Sequence, residues 1–205
     1  MRVQVALFTL ALVLTGCNQQ QTGQEAVDPA VSDAAPATPD GTTGAVVAGP
    51  DFKLDQPIPQ EDIRTTLTLA APPVYRAADD TLLLNVEVGN HGNSALVGQG
   101  EMPVQLGVTL AGPEGVDKAP GRRDFVRARL PLVQPGSSAR VGLQVPAAEI
   151  LGLALNAELV QERVGWFGRQ YKQPVLEIGT FQRCGDAANT LCDASGTPVA
   201  AAPEQ

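Results

Sequence analysis

The chain has 205 residues, with three cysteines, one histidine and a formal net charge of −8. Residues 18–62 hold eight acids against the single base Lys53, whereas residues 63–182 hold eleven acids and eleven bases. A near-neutral body behind an acidic leader lacks the cationic surface that nucleic-acid binding rests on, so no nucleic-acid partner is expected.

Arg2 precedes a run from Val3 to Leu14 that is apolar except for Gln4 and Thr9. The run is shorter than the about 20 residues a membrane span needs, and it fits the apolar region of a signal peptide. Leu14-Thr15-Gly16-Cys17 follows directly. An aliphatic residue, a small residue, Gly and Cys in that place resemble the lipobox of bacterial lipoproteins. The resemblance implies a signal peptide over residues 1–16 and lipid modification of Cys17 as the N-terminus of the mature chain. Several acyl chains, palmitate among them, would then form a durable membrane anchor, since each buried methylene contributes about 0.8 kcal/mol. Asn18 stands where Asp would mark retention at the inner membrane. The resemblance therefore implies the outer membrane, on its periplasmic side or at the cell surface.

Residues 17–62 read as a tether. Pro29, Pro36, Pro39, Pro50, Pro57 and Pro59 interrupt a stretch rich in Ala, Gln, Thr and Gly, and Phe52 is its only aromatic. Such a composition buries too little apolar surface to offset its ordering entropy, and disorder is expected. As a flexible coil it would span roughly 35–40 Å.

From residue 63 to 182 the pattern is strand, turn, strand. Ile63–Leu69 alternates with period two until Pro72-Pro73 is expected to break it. Asp79-Asp80 signals a turn, and Leu82, Leu84, Val86 and Val88 define one face of a second strand. Gly89-Asn90-His91-Gly92-Asn93 turns the chain into Val104–Leu110. Gly112-Pro113-Glu114-Gly115 leads to a charged strand, Phe125–Leu130. Pro135-Gly136 precedes alternation at Val141, Leu143 and Val145, and a helical turn is expected over Ala147–Leu151. Leu153–Glu162 and Val175–Phe181 complete seven strands. This punctuation predicts an all-β antiparallel sandwich of about seven strands.

Asn90-His91-Gly92, Pro103–Gly107, Pro131, Pro135-Gly136 and above all Leu159-Val160-Gln161-Glu162 with Trp166-Phe167 resemble a bacterial immunoglobulin-like module. Modules of that kind are attached to enzymes and transporters of surface-polysaccharide assembly. The resemblance implies an immunoglobulin-like fold. Such modules often carry a Trp shortly after the Asn-x-Gly turn, where this chain has Leu96-Val97.

Residues 183–205 read as a tail. Cys184 and Cys192 are an even pair at short spacing, which in an oxidising compartment predicts a disulfide rather than a metal site or a redox CxxC motif. No clustered metal ligands and no phosphate-cradling glycine loop are found, so neither metal nor cofactor is expected.

Four groups of side chains carry candidate chemistry. Arg122, Arg123, Arg127 and Arg129 fall within eight residues, with Arg127 and Arg129 on one face of the expected strand and Val126, Ala128 and Leu130 on the other. A guanidinium row grips phosphate, sulfate or uronate groups, and it equally serves as a charged edge that keeps sheets from joining. Trp166, Phe167 and Tyr171 would stack on sugar rings if exposed, or close one end of the sandwich if buried. Glu87, Glu101, Glu158 and Glu162 are the carboxylates from which a glycosidase pair would be drawn. Glu87 and Glu158 are expected on the wet faces of strands. His91 has no G-x-S-x-G partner and reads as a turn histidine.

The expectation is an envelope lipoprotein whose sandwich is a non-catalytic module for a glycan or protein partner. The alternatives are an enzyme of envelope carbohydrate metabolism with a scattered carboxylate site, and a structural spacer.

Overall fold

Alternation at period two gives each strand one apolar face, and covering that face requires a second sheet about 10 Å away. The computed structural model of the chain shows this arrangement. It describes residues 52–185 and 187–203, which belong to one compact unit, Val47–Gln205. The expected signal peptide, Cys17 and the first part of the expected tether lie outside the described residues.

The strands are β1 (Thr65–Arg76), β2 (Thr81–Asn90), β3 (Val104–Ala111), β4 (Arg122–Arg129), β5 (Ser138–Pro146), β6 (Ala154–Gln161), β7 (Gly165–Trp166), β8 (Leu176–Cys184), β9 (Ala187–Asp193) and β10 (Ala200–Ala201). Two short helices, α1 (Ala147–Ile150) and α2 (Phe167–Tyr171), lie between them. One sheet has the order β10-β1-β2-β5; the other has β4-β3-β6-β8-β9, with β7 paired to β6. The chain changes sheet between β2 and β3, returns between β4 and β5, and crosses again between β5 and β6. These are the Greek-key connections of immunoglobulin-like sandwiches.

The core is the sum of the inward faces. Leu82, Leu84, Val86 and Val88 of β2 with Val141, Leu143 and Val145 of β5 meet Val104, Leu106, Val108 and Leu110 of β3 and Leu155, Ala157 and Leu159 of β6. Each such side chain contributes about 1.5–3 kcal/mol by leaving water.

The seven expected strands are β1 to β6 and β8, and the expected helical turn is α1. Three features differ from expectation. First, β1 does not stop at Pro72-Pro73. Its register with β2 shifts between Leu69 and Ala71 and again between Ala71 and Val74. Prolines fit a strand where the ladder is already interrupted. Second, the folded body extends beyond residues 63–182. Ile58, inside the expected tether, is buried in the core with Ile63. Third, the tail adds strands: β9 pairs with β8, and β10 lies parallel to β1 through Val74 and Tyr75.

Two devices hold the tail. Cys184 and Cys192 form the disulfide, with their Cα atoms 5.2 Å apart, beside the buried Leu191. The Arg183 guanidinium donates to Asp80 Oδ2 at 2.7 Å and to the Tyr75 hydroxyl at 3.0 Å, while that hydroxyl donates to Asp80 Oδ1 at 2.7 Å. Arg183 holds the Asp80 carboxyl below its ordinary pKa. Serine at both cysteines should lower stability by about 2 kcal/mol, the scale of a short closed loop. The thermal midpoint would report it. Thiol titration of the native protein should find neither Cys184 nor Cys192 reactive, and two reactive thiols from this pair would remove the bridge.

Candidate functional site

β4 is an edge strand, paired only with β3. Its inward residues Val126 and Ala128 pack on the core, so Arg127 and Arg129 face outward, as the alternation requires. Three of the four arginines then meet acids from elsewhere in the fold. Arg122 donates to Glu149 of α1 at 2.8 Å and lies 4.9 Å from the Phe125 ring centroid. Arg123 donates twice to Asp117, at 2.7 and 2.9 Å, and once to Glu158 at 3.3 Å. Arg127 donates twice to Asp124, at 2.7 and 3.0 Å, and once to Glu162. Among the described residues Arg129 meets no carboxylate within ion-pair distance. The row is therefore not four open guanidinium groups. It is three arginines held by acids and, among the described residues, one without an acidic partner.

The aromatic cluster divides in a similar way. Trp166 pairs across from Val160, and its indole lies on β3 at Gly107, where a Cβ would come within 2.5 Å of the ring. Arg127 stacks over the indole, 5.4 Å from the ring centroid. A guanidinium over an aromatic face is attractive electrostatically, and here it also covers that face. Phe167 is only 1% exposed and meets Tyr171 edge to face at 5.5 Å. Burial corrects Phe167 as a stacking surface, and Tyr171 is packed against the same core. The Trp166–Tyr171 segment covers the outer face of β3 and β6, at Gly107 and Glu158.

Glu158 corrects the wet-face expectation. It lies on the outer face of β6, but α2 and Arg123 cover it and its side chain is 5% exposed. The Gly168 N–H donates to Oε2 at 3.0 Å, and a Cβ at Gly168 would stand 2.6 Å from that oxygen. Burial raises the Glu158 pKa, opposed by the Gly168 N–H and the Arg123 charge. Arg123 in turn holds Asp117 below its ordinary range. For Arg127, burial works against the charge, but Asp124 and Glu162 outweigh it and raise its pKa.

The remaining carboxylates do not converge. Glu101 meets Arg163 at 3.2 Å, and Glu87 accepts from Ser138 at 3.0 Å with Arg140 at 3.7 Å. His91 is exposed, and its Nε2 lies 3.1 Å from Thr66 Oγ1. Ser138 hydrogen-bonds to Glu87, so no Ser-His-carboxylate relay of the triad kind is formed there. Among the described residues, no three His, Cys, Asp or Glu side chains gather to hold a metal ion.

An open concavity lies elsewhere, between edge strands β4 and β5. It is an open groove of about 790 Å³, with Val97, Leu130 and Val141 beneath and Arg129 and Arg140 on its walls. Its base is tightly built. Leu96 and Val133 exchange backbone hydrogen bonds at 3.0 and 2.9 Å, and a Cβ at Gly98 would stand 1.9 Å from the Leu130 carbonyl oxygen. Phe52 and Leu132, 44% and 38% exposed, also line it. Sequence reasoning found Arg129 but missed Arg140 and Phe52. Phe52 was visible as the one aromatic in a polar leader, and Arg140 as the cation two residues before Gly142.

No protein-family model matches this chain, and no curated protein matches it. Among solved structures it is similar to β-glucosidase 3B from Thermotoga neapolitana in complex with glycerol, at a TM-score of 0.30 and 16% identity. The match covers 57% of this chain and 16% of that one, so the chain spans about one sixth of the enzyme's length. Nothing about activity passes from it to this protein.

Proposed function

We propose that this chain is a lipid-anchored protein of the bacterial outer membrane, held through Cys17, whose sandwich is a non-catalytic binding module for an envelope glycan or protein. The groove between β4 and β5 carries the reading, because exposed apolar side chains meet there an arginine that has no acidic partner among the described residues. A few polar groups over an apolar floor is the usual composition of a binding site. The carboxylates support binding over glycoside hydrolysis, since Glu158, Glu162 and Glu101 are each engaged by a different arginine. On this reading the tether limits the partner to what lies near the membrane.

The test uses the full chain in the producing cell. Cys17→Ser should move the protein out of the outer-membrane fraction. A photo-crosslinking residue at Leu132 should capture an envelope component, whereas one at Glu177, exposed on β8, should capture none. Unchanged fractionation would defeat the anchor, and no capture from Leu132 would leave the spacer alternative.

A further inference from the structure

The charge lining the groove is one-sided. Arg129 stands on the β4 wall and Arg140 on the β5 wall, and among the described residues that line it none is acidic. This is unexpected in a body whose residues 63–182 carry as many acids as bases. The contrast is sharpest within β4 itself, where Arg122, Arg123 and Arg127 each meet a carboxylate and Arg129 meets none among the described residues. Arg140 is held only loosely, at 3.7 Å from Glu87, and its side chain is 73% exposed. A pair that long and that exposed is worth little, so exchanging Glu87 for an incoming carboxylate costs little.

The shape beside these cations is flat. A Cβ added at Gly142, two residues along β5 from Arg140, would meet nothing within 4 Å. Pro131 is exposed on the opposite wall, and Phe52 presents an open ring. A flat shelf with one aromatic ring suits a sugar ring, which has an apolar face and a polar rim, better than a chain of branched side chains. The volume lies within the about 300–1,000 Å³ typical of small-ligand sites.

We propose that this groove binds a linear acidic glycan, with a uronate carboxylate taken by Arg129 and Arg140 and a sugar ring lying on Phe52. The proposal rests on the binding-module reading and names the class of its partner. Guanidinium forks match carboxylate and phosphate alike, so it is the ring-accepting surface beside Phe52 that favours an anion carried on a sugar, the uronate. The paired arginines of β4 then have a separate job. They neutralise the acids of that sheet, so a polyanion approaching Arg129 meets fewer uncompensated negative charges.

The experiment is a titration of the full chain in detergent micelles with a linear tetragalacturonate and, separately, with its methyl ester. The acid form should bind, and the ester, which keeps the rings and loses the charge, should bind at least about tenfold more weakly. Arg129→Gln and Arg140→Gln should each weaken the acid form about tenfold and leave the ester unchanged. Phe52→Ala should weaken both forms alike. Arg76→Gln, whose arginine pairs with Asp79 away from the groove, should change neither. Binding of the acid form should also weaken as salt is raised. Equal affinity for acid and ester, or no effect of either groove arginine, would overturn the proposal. So would polyglutamate or inorganic phosphate binding as tightly as the uronate, because the site would then read charge without a sugar. Capture of a protein through Leu132 with no uronate binding would defeat this inference and leave the binding-module reading standing.

Discussion

Arg123→Ala is expected to destabilise the protein by about 3 kcal/mol at neutral pH, measured by urea unfolding. The cause is the carboxylate it leaves behind. Glu158 is almost fully buried, and its partners are the Gly168 N–H and Arg123. Breaking a buried pair from one side strands the other charge, and the estimate sits at the low end of that range because Arg123 is itself 20% exposed. The loss should depend on pH with a definite sign. Burial already holds the Glu158 pKa above its ordinary value. A carboxyl raised in the native state binds its proton more tightly there than in the unfolded chain. Its contribution is therefore most favourable below the unfolded pKa and is lost as pH rises through the native pKa. Removing Arg123 takes away a charge that opposes this rise, so the native pKa climbs further. The penalty of Arg123→Ala should then shrink on going from about pH 7 to about pH 5. Asp117 adds in the same direction at lower pH. Arg123 holds its pKa down, so the stability it gains is present above its unfolded pKa and lost as pH falls. Glu158→Gln in the Arg123→Ala background should recover about 2 kcal/mol, since a neutral amide still accepts from Gly168. A penalty flat across this pH range would show that Glu158 is not what Arg123 stabilises.

Gln161→Leu should cost about 3 kcal/mol for a different reason. Gln161 is completely buried, and its amide is a clamp. Nε2 donates to the carbonyls of Gln56 and Met102 at 2.9 and 3.1 Å, and Oε1 accepts from the Ile58 N–H at 3.1 Å. Leucine fills the space but strands three backbone groups, each costing about 1–3 kcal/mol less whatever water recovers. The damage should be local first. Hydrogen exchange at the Ile58 amide should accelerate well before the strands open, and the segment near Phe52 should become protease-sensitive. Unchanged protection at Ile58 would mean that core packing of its side chain, not the clamp, holds the segment. Because Phe52 lies just before this clamp, the same variant should also lose affinity at the groove.

Those two residues mark how far the sequence could be read. Alternation placed Leu82, Leu84, Val86 and Val88 on an inner face correctly, because strand geometry alone dictates it. The same rule placed Glu158 on a wet face and was wrong about its exposure. The rule assigns a face of the sheet, not what covers that face, and here the Trp166–Tyr171 segment folds back over it. Two glycines bore the trace of this: Gly107 lets the indole lie on β3, and Gly168 lets its backbone approach Glu158. In the sequence neither glycine sits in a turn cluster, but nothing local says what approaches it. The short strands β7, β9 and β10 were invisible for a related reason. Two to seven residues without alternation form strands only because a neighbouring edge is there to pair with.

The sequence by itself determined the seven main strands, the cysteine pair and the gathering of four arginines within eight residues, since each follows from local spacing. Tertiary structure alone decided which arginine is free. Arg123 and Arg127 find Glu158 and Glu162 across 35 residues of chain, and Arg122 finds Glu149 across 27. Those acids are brought alongside by the β3–β6 register and by the position of α1. Arg129, the last residue of β4, has no such partner among the described residues. A charge reaches its counter-charge only when the fold brings the two within a few ångströms, and spacing along the chain does not contain that distance.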